Sequence, residues 1–385
     1  MPDADQPESN EPQPQQSAER SGTSGEESAP LIPQTPGLIF REVFIGREGL
    51  RAGWSLLLYI ALFIALGYST VRLVHALVHR NDVAKPAAAA QTSNSKVPAP
   101  SELMPVSRVL IAEGISLFAV VVATWLMGKI ERRPNSIYGL GGRRRVRNFL
   151  AGLGWGVAML SLLVLALRAT GLLVFDAREL FGGSAWHYGL VWFAGFLLVG
   201  LFEEYGFRGY LQFTLARGIN GIYDWLGSFG SQATGQRSNV QNAPGFWIAA
   251  VLISFGFGFM HRTNAGESPI GMLSAGLISI VFCLSLWRTG SLWWAIGFHA
   301  AWDWTESFLY GVSDSGMVVQ GHLFHSHPEG RSIFSGGLTG PEGSLFILPI
   351  VALTAAVILL TLPNARRNQA ASPSNPMLHS TFRKP

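Results

Sequence analysis

Residues Phe202–Arg208, with the sequence FEEYGFR, place two adjacent glutamates and an arginine at the end of a long run of apolar residues. A charged side chain at membrane depth is unfavourable unless it faces a polar cavity, pairs with another group or takes part in chemistry. Later apolar runs carry matching polar groups, namely His261, His299 and Asp303. We therefore expect a polar site inside a bundle of membrane helices.

The composition of the chain supports this interpretation. Hydrophobic residues make up 48% of the 385 residues and charged residues 14%, whereas soluble domains carry about 25% charged residues. Eight apolar runs approach or reach the roughly 20 residues that a membrane helix needs. They cover 53–72, 108–128, 149–169, 188–212, 246–262, 270–288, 291–309 and 344–362. The predicted fold class is therefore all-α, a polytopic membrane bundle of about eight transmembrane helices.

Polar segments divide the chain into five parts. We expect a disordered tail rich in Pro, Gln, Ser and Glu, a first group of membrane helices, a core that holds the polar groups, a Gly-rich exterior loop with the last helix, and a cytoplasmic tail. These parts are 1–45, 46–185, 186–310, 311–363 and 364–385.

Positive charge predicts the orientation of the helices. The loop 129–148 is dense in Lys and Arg, and cytoplasmic loops carry an excess of these residues. Counting helices from there places both termini in the cytoplasm and the segments 80–105 and 307–343 outside. The net charge of +4 is distributed as a topology signal and does not indicate binding to nucleic acid.

The two glutamates are expected to differ in their roles. Glu204 and Arg208 are four residues apart, so they are predicted to pair on one helix face. Glu203 points about 100° away and is the freer carboxylate, which favours it as a general base. The alternative for Glu204 and Arg208 is a buried pair that only fixes helix packing.

The other polar groups suit metal binding or activation of water. His299 and Asp303 lie one helical turn apart, and His261 ends the fifth predicted helix. Zinc catalytic sites use three protein ligands and an open position, so we predict that Glu203, His261, His299 and Asp303 either hold a metal or activate a water molecule without one. The HExxH signature does not occur in the sequence, which excludes a conventional metalloprotease helix as the source of the site.

Three ordered motifs resemble those of the CAAX protease and bacteriocin-processing family, also called the Abi family, of intramembrane metalloproteases. Glu203–Arg208 is similar to the family's Glu-Glu-x-x-x-Arg, Phe257–His261 to its Phe-x-x-x-His, and His299–Asp303 to its His-x-x-x-Asn/Asp. The resemblance covers roughly residues 188–310. It implies an eight-helix prenyl-protease-like fold in which the first glutamate and the histidine of the second motif activate water for peptide hydrolysis.

The same resemblance implies the remaining roles. His299 and Asp303 would hold or polarise the scissile carbonyl and stabilise the oxyanion. An ionised Asp303 cannot donate a hydrogen bond where the family has Asn, so it suits metal ligation or the orientation of His299 better. The implied catalytic set is Glu203, Glu204, Arg208, His261, His299 and Asp303.

The expected cofactor is a divalent metal, with zinc as the best candidate. The expected partners are the lipid bilayer and a peptide or protein substrate, prenylated or not, and the expected location is a bacterial plasma membrane. Two other functions stay open. A membrane immunity or scaffold protein would keep the fold without cutting its partner, and a transporter would use the glutamates and histidines to relay protons.

Two further expectations concern the depth of His261 in the membrane and a group of histidines in the exterior loop. Helix geometry places His261 closer to the exterior than Glu203 and His299, so the site converges only if the fifth helix begins before Phe246 or bends. In addition, His322, His325 and His327 gather three imidazoles in the exterior loop. No carboxylate is arranged around them in the sequence, which favours a solvated loop over a metal site.

Overall fold

Long apolar helices dominate the computed structural model, in which residues 43–46, 49–79, 103–142, 144–227 and 244–363 are described. The helices are α1 (Ala52–His79), α2 (Val106–Ile130), α3 (Arg145–Ala169), α4 (Gly182–Glu203), α5 (Gln212–Gly227), α6 (Pro244–Met260), α7 (Pro269–Thr289), α8 (Trp293–Trp304), α9 (Ser332–Ser335) and α10 (Ile347–Thr361). Short strands form two antiparallel pairs, β1 (Ile45–Gly46) with β2 (Gly49–Leu50) and β3 (Leu173–Arg178) with β4 (Phe324–Pro328). The prediction of an all-α membrane bundle is confirmed.

All eight apolar runs are helical, but they differ in length. Within the described ranges, six helical segments are long and apolar enough to cross a membrane: α1, α2, α3, α4 continuing into α5, α6, and α7. The other two are shorter: α8 has 12 residues, followed by five π-helical residues, Thr305–Leu309, and α10 has 15. The predicted tails 1–45 and 364–385 and the predicted linker 80–105 lie wholly or largely outside the described residues.

The helix α8 is short because protein surrounds it. One core cluster packs α8 against α3, α7 and α10 through side chains that include Leu163, Phe282 and Ile350. A second cluster joins α8 to α1 and α2 and includes Tyr59 and Ile296. A helix enclosed in this way does not need the length of a lipid-facing span, which explains why the seventh predicted span falls short.

Glycines bring α3 and α8 into direct backbone contact. Gly152 and Gly156 are four residues apart on α3, the spacing that allows membrane helices to approach closely. A Cβ atom added at Gly156 would clash with the carbonyl oxygen of Phe298, and one added at Gly297 of α8 would clash with the carbonyl oxygen of Phe149 on α3. This contact fixes the helix that carries the third motif.

Two π-helical segments lie beside the polar residues of the bundle. One, Glu204–Leu211, joins α4 to α5, and the other, Thr305–Leu309, follows α8 directly. A π-helix has a wider turn than an α-helix and is frequent at functional sites. The sequence predicted a regular helix through the first motif, whereas the structure widens the helix there without breaking it.

Candidate active site

A cavity of about 370 Å³ lies among α2, α4, α6, α7, α8 and α10. Four of the predicted site residues line it: Glu203 at the end of α4, His261 directly after α6, and His299 and Asp303 on α8. The structure therefore brings together polar side chains that the sequence distributes over three separate apolar runs.

His261 reaches the cavity because of the way α6 is placed. The helix begins at Pro244, before Phe246, and His261 opens a 3₁₀ turn that follows it. Its Nδ1 lies 2.9 Å from the carbonyl oxygen of Phe257. A carbonyl can only accept a hydrogen bond, so Nδ1 carries the hydrogen and Nε2 keeps its lone pair. His261 thus offers one nitrogen that can bind a metal or accept a proton.

His299 lies among three carboxylates. Its Nδ1 is 2.9 Å from Oε1 of Glu204, and its Nε2 is 3.5 Å from both Oε2 of Glu203 and Oδ2 of Asp303. Carboxylates accept hydrogen bonds, so Nδ1 donates to Glu204, and only a doubly protonated ring would also donate towards the other two. Glu203 consequently has a partner that the sequence did not reveal, namely the imidazole of His299.

Glu204 and Arg208 lie behind His299. Neither is among the described residues that line the cavity, and both side chains are 0% exposed, with Nη1 of Arg208 donating to Oε1 of Glu204 at 2.9 Å. The guanidinium also lies 4.3 Å from the ring centroid of Phe257, within the range of a cation–π interaction. The predicted pair is therefore present. Because Oε1 of Glu204 contacts both Arg208 and His299, the pair also supports His299.

The predicted metal ligands have suitable donor atoms but stand apart from one another. Imidazole nitrogen and carboxylate oxygen are both zinc ligands. Two groups of three described residues bring their donor atoms within 4.8 Å of one another: Glu179, His322 and His325, and Glu306, Asp314 and Glu342. The predicted set of Glu203, His261, His299 and Asp303 is not such a group among the described residues. Its donor atoms are of the types that zinc binds, but they lie farther apart than the donor atoms of a closed metal site.

The cavity is surrounded by further carboxylates that the predicted site did not include. Glu113, Asp314 and Glu342 line it, and the fully buried Glu306 lies beside the last two. Burial raises the pKa of Asp314 well above its usual range, and the nearby carboxylates of Asp303 and Glu342 raise it further. A signal for Glu113 and Glu306 was available, because an ionisable residue within an apolar run is a functional-site hypothesis by default.

Apolar side chains form much of the remaining cavity wall, beside polar ones such as Arg108 and Asn264. Val109 of α2, Phe196 of α4, Ile278 of α7 and Ile350 of α10 are among the apolar ones. A mostly apolar cavity with a few convergent polar groups is the usual form of a ligand-binding site. Its dimensions and chemistry suit a short stretch of chain with apolar side chains.

A comparison with protein families agrees with the motifs. Residues 185–305 match the family model described as Rce1-like, type II CAAX prenyl endopeptidase. This segment is similar to an Rce1-like domain. It contains all three motifs and covers most of the predicted core 186–310, so the resemblance seen in the sequence is confirmed at the family level. No curated protein and no solved structure gives a significant match to the chain.

Proposed function

We propose that the protein is an intramembrane endopeptidase, similar to CAAX prenyl endopeptidases, that hydrolyses peptide bonds of a substrate at the membrane. The observation that carries this proposal is the convergence of Glu203, His261, His299 and Asp303 on one cavity. The match of residues 185–305 to a family of endopeptidases supports the reaction class.

In this mechanism Glu203 is the general base. A water molecule between Glu203 and Nε2 of His261 loses a proton to the carboxylate while its oxygen attacks the carbonyl carbon of the scissile bond. The carbon–nitrogen bond then breaks, and the proton moves from Glu203 to the leaving amine. The orientation of His261, which turns Nδ1 towards the Phe257 carbonyl, supports this role because it leaves Nε2 unprotonated.

His299 stabilises the oxyanion that forms during the attack. A doubly protonated ring can donate from Nε2 to that oxygen while Nδ1 stays bonded to Glu204. Asp303 lies 3.5 Å from the same Nε2, which suits a positioning role for this carboxylate better than a donor role. Glu204 and Arg208 then act by holding His299.

We include a divalent metal, best matched by zinc, in this proposal. Glu203, His261, His299 and Asp303 would hold it, with His299 then neutral and binding through Nε2, and a bound metal would polarise the carbonyl in place of the doubly protonated ring and lower the pKa of a bound water. Elemental analysis of the purified protein, together with loss and recovery of activity on chelation and addition of zinc, tests this part separately from peptide hydrolysis.

The test of the reaction uses the full-length protein in lipid vesicles. A mixed library of prenylated and unprenylated peptides is incubated with it, and products are identified by mass spectrometry. We expect the wild type to cleave and Glu203→Gln to lose about 100- to 10,000-fold in rate, the usual contribution of a general base. Glu329→Gln, the same change at an exposed carboxylate, is the matched control and should keep full activity.

Other outcomes of that experiment favour the other functions. A folded wild type that cleaves nothing in the library supports a non-catalytic immunity or scaffold protein. Ion-coupled flux that persists without cleavage supports a transporter. If cleavage occurs, the ratio of rates for each peptide with and without its prenyl group states whether the lipid is part of what the cavity recognises.

The proposal also includes the orientation in a bacterial plasma membrane, with both termini in the cytoplasm. The basic loop 129–148 supports it. Reporter tags fused to each terminus, tested for accessibility in intact and opened cells, decide the point: a terminus that is labelled in intact cells contradicts this orientation.

A further inference from the structure

The strand pair β3–β4 carries a cluster of imidazoles and carboxylates that belongs to no motif of the family. Glu179 directly follows β3, His322 precedes β4 and His325 lies within β4. Their donor atoms all fall within 4.8 Å of one another, and none of the three residues lines the cavity described above. We propose that Glu179, His322 and His325 form a second metal site, which binds a divalent cation of the zinc type.

The buried histidine provides the first argument. His322 is 2% exposed, and its Nδ1 lies 2.8 Å from the carbonyl oxygen of Val319. That carbonyl can only accept, so Nδ1 carries the hydrogen and Nε2 has a lone pair. This Nε2 is buried without a hydrogen-bond partner among the described residues, and an unmatched buried polar atom is unfavourable.

The position of the carboxylate sharpens this argument. Oε2 of Glu179 lies 3.3 Å from Nε2 of His322. Both atoms present lone pairs, so a positive charge is needed between them to make the approach favourable. A metal ion supplies it, and donor atoms on a tetrahedral zinc ion at about 2.0–2.2 Å are themselves separated by about 3.3–3.5 Å.

His325 completes the set from the other side of the carboxylate. Its Nδ1 is 3.8 Å from Oε1 of Glu179, and its ring stacks on that of His322 with centroids 5.7 Å apart. Two imidazoles and one carboxylate are a known zinc-binding combination that leaves a fourth position for water. Glu179 and His325 are 45% and 51% exposed, so an ion can enter from solvent.

Asp176 lies near the other nitrogen of His325, on the side where metal-binding histidines usually have a supporting carboxylate. Its Oδ2 lies 3.8 Å from Nε2 of His325 and 2.7 Å from Nδ1 of His327. A ligating histidine normally directs its other nitrogen to a carboxylate of this kind. A register shift in the β3–β4 pairing between Phe175 and Ala177 places Asp176 at an irregularity of the strand, a feature that often redirects a side chain.

The structure places carboxylates beside these histidines, which the sequence prediction for this loop did not include. The three histidines were expected to be solvated because no carboxylate surrounded them in the sequence. Asp176 lies in β3 and Glu179 directly follows it, about 150 residues earlier in the chain, and β3 pairs with β4. Long-range strand pairing, which an isolated loop sequence does not show, assembles the cluster.

A metal at this position would also brace the cavity wall. The Val319 carbonyl that holds His322 belongs to a residue that lines the cavity. The backbone carbonyl oxygen of the next residue, Gln320, accepts a hydrogen bond from Nε1 of Trp192 on α4 at 2.9 Å. The ion would therefore hold the segment between α8 and β4 against the bundle, so its removal should loosen one side of the cavity.

The test measures zinc binding to the full-length protein in detergent after dialysis against a chelator. We expect the wild type to bind one more zinc ion per chain than Glu179→Gln or His325→Gln, and zinc to raise the melting temperature of the wild type more than that of either variant. Loss of a group that merely supports a ligand already lowers metal affinity about 10- to 100-fold. Loss of a ligand should lower it at least as much, and Asp176→Asn should fall within that range.

The controls separate this site from the others. His187→Gln changes an exposed histidine on α4 and should bind zinc as the wild type does. Glu203→Gln should keep the ion at β3–β4, whatever it does to activity. Because Glu179 and His325 are exposed, their variants should fold even if a His322 variant does not.

Two results overturn the proposal. One is equal zinc stoichiometry and affinity in the wild type, Glu179→Gln and His325→Gln. The other is a wild type whose melting temperature does not respond to zinc but falls as pH rises, because a proton on His322, and not a metal, then bridges the pair.

Discussion

Replacement of Arg208 by methionine tests the inference that the buried pair positions His299. The change keeps a long side chain but leaves the Glu204 carboxylate fully buried, with Oε2 already lacking a partner among the described residues. Breaking a buried ion pair by removing one partner lowers stability by about 3–5 kcal/mol. The lost contact with the Phe257 ring, worth about 0.5–2 kcal/mol, is included in this figure.

A double-mutant cycle separates the pair from its surroundings. Replacement of both partners, Arg208→Met with Glu204→Gln, removes both charges and should restore most of the stability, since apolar or neutral replacements of a buried pair are often neutral. Activity should stay low in the double variant, because a neutral amide at position 204 supports the imidazolium of His299 less well than a carboxylate. Stability and activity therefore separate if the pair acts through His299.

The assay is equilibrium unfolding in detergent micelles together with kcat/KM for a cleaved peptide. Arg208→Lys is the matched control, because only one nitrogen of the guanidinium donates to Glu204 and a lysine keeps the charge. It should lose less stability than Arg208→Met. A loss below about 1 kcal/mol in Arg208→Met, with unchanged kcat/KM, would refute the reasoning, since it would place the pair among weakly contributing ion pairs.

Three further predictions concern packing, pH and metal. Gly156→Val adds a side chain whose Cβ alone would clash with the Phe298 carbonyl oxygen of α8; it should lower the unfolding free energy by at least about 1–3 kcal/mol, and kcat/KM with it. The unfolding free energy of Asp314→Asn, relative to that of the wild type, should increase as pH rises above 3.8, the ordinary pKa of the aspartate side chain. The raised pKa means that the folded chain holds a proton that the unfolded chain loses in this range, so wild-type stability falls with rising pH. Chelation should abolish peptide cleavage, and added zinc should restore it. The measurement uses the Glu179→Gln variant, so that the β3–β4 site does not contribute.

Each of these has a matched control or a contrary result. Gly154→Val lies on the same helix with open space around it and should be tolerated; equal damage in both variants contradicts the contact argument. A stability difference for Asp314→Asn that does not change between pH 4 and pH 8 contradicts the raised pKa. Full activity in the presence of chelator contradicts a metal at the Glu203 site.

The sequence predicts the class of fold well because each element leaves a local signal. An apolar run of bilayer length predicts a helix regardless of what surrounds it, and all eight runs are helical. The length of α8 is harder to predict, because it depends on whether neighbours or lipid surround the helix. The glycines at 152, 156 and 297 suggest close contact in the sequence, yet only the structure shows that they face one another.

The candidate site was predictable to the extent that it consists of polar residues in apolar runs. Glu203, His261, His299 and Asp303 stand out in this way, and they do line one cavity. The contact between Glu203 and His299 was not predictable, because it depends on how α4 and the π-helical segment lie against α8. The β3–β4 cluster was missed for the same reason, since its carboxylates and imidazoles are distant in the sequence.

The structure also explains why the motifs contain residues that do not reach the cavity. Arg208 of the first motif lies on the ring of Phe257, the first residue of the second motif. Through Glu204 it connects to His299, the first residue of the third. A change at any of these positions leaves a buried charge or a misplaced imidazole, so the three motifs form one unit of structure. Each motif therefore needs one residue that contacts a neighbouring motif and another, about one turn away, that faces the cavity. Both requirements together set the spacing within the motif.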